Sequence, residues 1–188
     1  MAESEKPLTP IEVRVEHVSQ LFDTLDPFPF PERDLDKDAE EYIIGWAREL
    51  PRDQPIRIVI HLPAGELAKH DPAVMASALN RYFEYRAGIV VHDLNELFRV
   101  GRMALLIGLS VLALCLVAAR FAATLFDGTP FGGFIQESLI ILGWVANWKP
   151  IEIFLYDWWP LVRRRNLYRR LAQAAVEMKP YGGAPDTR

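Results

Sequence analysis

The chain reads as an α+β membrane protein: a small cytoplasmic β-α-β-α domain, a two-helix transmembrane hairpin and a C-terminal interfacial amphipathic helix. Three observations predict this. Met103 to Ala119 (MALLIGLSVLALCLVAA) carries no charge, and Phe131 to Trp148 carries only Glu137, with Phe126-Asp127-Gly128-Thr129-Pro130 as the turn between them. Two segments alternate at period two, Ile11-Glu12-Val13-Arg14-Val15-Glu16 and Ile56-Arg57-Ile58-Val59-Ile60-His61-Leu62. Between and after them lie stretches of helical periodicity. The resulting division is a flexible N-terminus over 1–10, a cytoplasmic domain over 11–100 ending in a long helix, the hairpin over 103–148, and an interfacial helix with a basic tail over 150–188.

In order, Ile11, Val13 and Val15 predict one face of a strand, and His17 to Leu25 a short helical turn with Val18, Leu21 and Phe22 on one side. Leu25-Asp26-Pro27-Phe28-Pro29-Phe30-Pro31 alternates three prolines and excludes helix. Phe28 and Phe30 are therefore expected to pin an extended segment and to offer a partner surface. Asp36 suits an N-cap. Ala39, Tyr42, Ile43, Trp46, Ala47 and Leu50 then form a stripe to be buried, with Glu40, Glu41 and Arg48 facing water, until Pro51 stops the helix. The second strand puts Ile56, Ile58, Ile60 and Leu62 toward the core. Two strands are too few for a stable sheet in water, so a third strand or a second subunit is required.

Asp71-Pro72 opens the next helix, an N-cap followed by a proline whose missing amide costs nothing there. Its pattern runs through Tyr82, Tyr85, Val90 and Phe98 into the first span, with only Gly88 arguing for a break. The spans are expected over about 103–126 and 131–149, since a bilayer core of about 30 Å takes about 20 helical residues. Arg99 and Arg102 precede them, Arg163, Arg164, Arg165, Arg169 and Arg170 follow, and the loop has no Lys or Arg. The positive-inside rule then places both termini in the cytoplasm. Met1 is not followed by the pattern of a cleaved signal, so the first span is expected to act as its own signal.

Arg120 and Glu137 lie at matched distances from the turn and are expected to pair near the outer face, or else to snorkel separately. After Lys149, Pro150 offers a bend. Ile151, Phe154, Leu155, Trp158 and Val162 share a helical face, so an in-plane helix anchored by Trp158, Trp159 and Lys149 is expected. The alternative is a continuation of the second span that buries Glu152 and Asp157, with Arg163 to Arg165 as their partners. The arginines from Arg163 to Arg170 are expected to contact anionic lipid.

Composition narrows function. Met1 to Leu50 holds thirteen acidic against five basic residues, whereas the chain after Pro160 holds seven basic against two acidic. The basic residues hug the hairpin, which argues against nucleic acid. The single Cys115 lies mid-span and reads as a small packed residue. His92 and Glu96 stand four apart on a helix, but no further ligand matches their spacing, and a solvated face accounts for them. Pro63-Ala64-Gly65-Glu66 has one glycine and an acid where a phosphate loop would need amides. No catalytic residue, cofactor or metal is expected.

Gly143-Trp144-Val145, followed by Trp148-Lys149-Pro150-Ile151-Glu152-Ile153-Phe154-Leu155-Tyr156-Asp157-Trp158-Trp159-Pro160 and an arginine run, resembles a signature of bacterial two-span membrane proteins of unassigned activity. Leu25-Asp26-Pro27, Arg33-Asp34-Leu35-Asp36 and His61-Leu62-Pro63 are similar to other parts of it. The resemblance implies a bacterial inner (cytoplasmic) membrane location and supplies no activity. The sequence thus points to an accessory protein that contacts the bilayer, self-associates and engages an unidentified protein partner. A pore of several copies using Arg120, Glu137, Asn147 and Lys149 is the competing reading.

Overall fold

The computed structural model describes residues 10–23, 34–52 and 54–181. In order these are β1 (Ile11–Arg14), a 3-10 turn (Val18–Gln20), α1 (Lys37–Glu49), β2 (Arg57–Pro63), the short α2 (Ala64–Leu67) and α3 (Pro72–Leu125). There follow α4 (Pro130–Val145), α5 (Trp148–Glu152), a π-helical segment (Ile153–Asp157), α6 (Trp158–Ala172) and β3 (Ala175–Tyr181). The chain divides into two compact units, Met1–Ile89 with Arg164–Arg188, and Val90–Arg163. Phe28 and Phe30 lie outside the described residues.

The first unit is built on a parallel sheet in the order β1-β2-β3. Ile58, Ile60 and Leu62 are fully buried, as their alternation predicts, and Ile11 pairs with Ile58 and Val13 with Ile60. The third strand is β3, in register from Arg57 opposite Ala175 to Pro63 opposite Tyr181. The sequence reading took this segment for part of a basic tail. Only Val176 and Met178 carry its alternation, and Pro180 masks it. Ala175 N–H bonds to the Ile56 carbonyl, so residues 176, 178 and 180 turn their backbone away from β2. Proline is tolerated there because no ladder bond is lost.

Helix starts follow their caps. The Asp36 carboxylate accepts from the amides of Asp38 at 2.9 Å and Ala39 at 3.4 Å, and that of Asp71 from Ala73 N–H at 2.9 Å. α1 ends at Leu50, whose backbone is extended before Pro51. Its buried stripe differs from the expected one: Glu40, Ile43 and Ala47 are buried, whereas Tyr42 and Trp46 are each 46% exposed. Tyr42 and Trp46 sit one residue behind, about 100° around the helix, and Glu40 has partners inside. α3 runs 54 residues without a break at Gly88.

The second unit is made of parts of α3 and of the stretch Pro130–Ala172, both long and apolar enough to cross a membrane. They pack antiparallel along a seam of small residues. A Cβ on Gly143 would meet the Leu112 side chain at 2.8 Å and Cys115 at 3.2 Å, and one on Gly132 would meet the Phe126 carbonyl at 2.6 Å. Asn147 is 6% exposed and donates to the carbonyls of Gly108 at 3.1 Å and Gly143 at 2.9 Å. A Cβ on Gly108 would lie 2.7 Å from Asn147 Oδ1. Cys115 is buried in this seam as a free thiol.

The break expected at Pro150 falls instead at Ala146-Asn147, where α4 ends and α5 begins. Pro150 occupies the first turn of α5, where an absent amide costs nothing. The following segment stays packed on α3 through Phe154. Ile153 is fully buried against Gly101, and Phe154 stacks on Phe98 at 6.2 Å, so the antiparallel register continues.

Gly108→Ala is expected to destabilise the hairpin by about 1–3 kcal/mol through overpacking, and Asn147→Leu by about 1–2 kcal/mol through its two lost bonds. Gly133→Ala, with nothing within 4 Å of its Cβ, serves as the neutral control. Thermal unfolding in detergent measures all three, and equal behaviour of Gly108→Ala and Gly133→Ala would contradict the seam.

Candidate functional site

Two polar assemblies stand out in the first unit. The first surrounds Glu40, 8% exposed on the buried stripe of α1. Its carboxylate accepts from Tyr82 Oη–H at 2.9 Å, Tyr168 Oη–H at 2.9 Å, Arg86 Nε at 2.9 Å and Arg86 Nη2 at 3.2 Å. Tyr82 and Arg86 stand four apart on α3, so one helical face presents both. Tyr168 arrives on α6, where its ring stacks on Phe83 at 6.3 Å, and Arg164 Nη2 donates to its hydroxyl at 3.2 Å. Burial, and then the charge of Glu40 beside it, push the Tyr82 hydroxyl well above the ordinary tyrosine range. A carboxylate bound on both oxygens by a guanidinium and two phenols has no free lone pair for a substrate proton. The arrangement is a neutralised buried charge that clamps α1, α3 and α6.

The second is an open cleft of about 950 Å³ at the carboxyl end of the sheet. Its walls are Glu12 to Val15 of β1 and its continuation on one side and Asp36, Asp38, Ala39 and Tyr42 on the other, with His61 and Tyr181 beside them. Carboxyl ends of parallel strands are the usual place for a ligand crevice. The Arg14 guanidinium lies 4.0 Å over the Tyr181 ring, whose hydroxyl donates to the Val15 carbonyl at 3.1 Å. Tyr42 Oη–H donates to the Glu12 carbonyl at 3.2 Å. His61 Nε2 is buried with no hydrogen-bond partner among the described residues and lies 3.8 Å from a Glu12 carboxylate oxygen.

The residues singled out from sequence are placed as follows. The seam that sets Gly143 against Cys115 and Gly132 against Phe126 brings Arg120 and Glu137 level along the hairpin, yet no ion pair joins them and both are exposed. Each lies about 100–140° around its helix from the contact stripe, so neither side chain enters the seam between the helices. Glu152 and Asp157 do have a partner, but it is Lys149, at 3.0 and 3.6 Å, and not the arginine run. Trp158 Nε1–H donates to the Phe154 carbonyl at 3.0 Å, while Trp159 is exposed beneath Arg163.

The arginines divide. Arg163, Arg164 and Arg169 are exposed, Arg164 while bonded to Tyr168, and Arg165 bonds to Asn166 Oδ1. Arg170 is engaged by the protein itself, donating to the carbonyls of Pro51 at 2.7 Å and Gln54 at 2.9 Å. Its guanidinium ties α6 to the segment before β2, a role the sequence reading did not give it. Among the described residues no group of three or more His, Cys, Asp or Glu is placed to hold a metal ion, and His92 and Glu96 are exposed.

Sequence reasoning missed the Glu40 clamp. Its signal was a carboxylate in phase with the Ile43 and Ala47 stripe, three and seven residues ahead of them. Comparison of the chain with protein-family models, with curated proteins and with solved structures finds no match.

Glu40→Ala is expected to cost about 3–5 kcal/mol, because it strands the Arg86 charge, and the double change Glu40→Leu with Arg86→Met much less than twice that. Tyr82 has a raised folded pKa, so its contribution is complete below the unfolded value of about 10 and fades as pH rises above it. Melting temperatures across that alkaline limb should fall less steeply for Tyr82→Phe than for the parent.

Proposed function

We propose that this chain is an integral inner-membrane interaction protein, in which the hairpin anchors a small acidic cytoplasmic module that engages protein partners and other copies of itself. The observation that carries the reading is the outward surface of the hairpin. Leu106, Leu114, Phe121, Leu125, Phe134 and Trp144 are each exposed, Leu125 to 75%, on helices whose inward faces are already closed by glycine and Asn147. Apolar surface on this scale around two long helices calls for lipid. Exposed Trp148, Tyr156 and Trp159 supply amphipathic rings at the end of the second span, and the outward arginines Arg163 and Arg169 suit anionic headgroups.

The anchoring reading is favoured over a conducting one. Asn147 is engaged in the seam and Lys149 in its two carboxylates, which leaves few polar groups to line a path. The flanking arginines and the uncharged loop support cytoplasmic termini.

In a Cys115→Ala background, Asp127→Cys is expected to react with an impermeant maleimide in intact cells, and Gln173→Cys only after permeabilisation. The reverse pattern would overturn the orientation, and release of the chain from membranes by alkaline carbonate would overturn the anchor. Native mass spectrometry of the purified protein is expected to show more than one copy per particle. A monomer at all concentrations would leave partner binding without self-association.

A further inference from the structure

We infer that the cleft between β1 and α1 is a strand-addition groove, which takes an extended basic peptide segment of a partner protein as a fourth strand beside β1. The inference rests on the reading of this unit as an interaction module, and it names the edge, the geometry and the chemistry of the occupant.

The backbone of β1 carries the argument. Val15 N–H bonds to the His61 carbonyl, which fixes the phase: residues 11, 13 and 15 address β2, and residues 12 and 14 address the cleft. Tyr42 caps the Glu12 carbonyl. Among the described residues nothing bonds to the Glu12 N–H or to either backbone group of Arg14, which leaves the ladder of an edge strand lining a cleft of about 950 Å³ walled by α1. An edge strand facing a helix across a groove is the geometry in which domains bind peptides by adding a strand. The opposite edge is unsuited. There β3 turns Pro180 outward, where a donor is missing, and Lys179 lies beside it.

Charge selects the occupant. Among the described residues Glu12, Asp36 and Asp38 line the groove with no Lys or Arg paired to them, and the one guanidinium in its lining, that of Arg14, is drawn onto the Tyr181 ring. A segment carrying Lys or Arg at alternate positions would meet these carboxylates while its backbone pairs with Arg14. The chain's own Asp26 to Pro31 carries no Lys or Arg, so its sequence does not offer the charge that the groove selects. A second folded copy is disfavoured too. Edge-to-edge pairing would bring two α1 helices and both sets of carboxylates together.

The test uses the full chain in phosphatidylcholine nanodiscs and a fluorescein-labelled peptide of alternating valine and lysine, followed by polarisation against empty nanodiscs. Saturable binding is expected. Affinity should fall about tenfold when the peptide is N-methylated on alternate amides, or when Arg14→Pro removes the outward N–H, since each loses one or two ladder bonds. Arg14→Ala keeps that N–H and removes a repelling charge, so it should bind at least as well as the parent. Glu12→Gln with Asp38→Asn, or a glutamate peptide in place of the lysine one, should weaken binding by a similar factor. Equal binding of both N-methylated registers, or no saturable binding, overturns the groove. Loss of self-association in Arg14→Pro without peptide binding overturns it in favour of a second copy. Peptide binding by a chain that carbonate releases from membranes would leave the groove standing and remove the anchor, so the two readings fail separately.

Discussion

A carboxylate taken out of water must be neutralised where it lies, and Glu40 is neutralised by groups that the chain supplies far apart in sequence. Tyr82 and Arg86 come from α3 and Tyr168 from α6, 128 residues after Glu40. The same late segment supplies β3, without which the sheet would have only β1 and β2. The first unit is therefore incomplete until the chain has passed through the whole of Val90–Arg163 and returned. Two parallel strands do not hold together alone in water, and a half-bonded Glu40 would cost more than an apolar side chain in its place. Each feature makes the same demand, that the C-terminal segment dock.

The elements whose signals are local were legible in the sequence. Caps at Asp36 and Asp71, the alternation of Ile56 to Leu62 and the two apolar runs each draw on a few neighbouring residues, and the structure has them where the patterns put them. The illegible parts depend on partners distant in sequence. α1 carries two plausible stripes, and only the positions of Tyr82, Arg86 and Tyr168 decide that Glu40 goes in while Trp46 stays out. β3 is short of alternation because β2, buried on both sides, supplies its context. Pro150 looked like a bend because proline usually breaks a helix, but a helix restarted at Asn147 places it in a first turn, where it is harmless.

The hairpin shows how far depth can be read without rotation. Counting from the turn brought Arg120 and Glu137 to the same level, and the seam through Gly132, Cys115 and Gly143 bears that out. Facing one another needs the rotation as well, and rotation is set by the close approaches of Gly108, Gly132 and Gly143, which admit the neighbouring helix only on their own side. Asn147 then fixes the register, because its amide reaches two carbonyls only when Gly108 stands opposite.

The candidate site was the least legible part, for a related reason. A groove between an edge strand and a helix is made of backbone direction, which a sequence of side chains does not display. Arg14 and Glu12 read as ordinary solvent-facing residues of an alternating strand, and so they are. What distinguishes them is that β2 claims only the odd-numbered residues of β1, that Tyr42 closes one carbonyl, and that the other edge is blunted by Pro180. An unprotected edge is a hazard unless something covers it. The protein guards one edge with proline and leaves a walled, acidic opening along the other. That asymmetry makes sense if β1 is kept for a strand that arrives from outside.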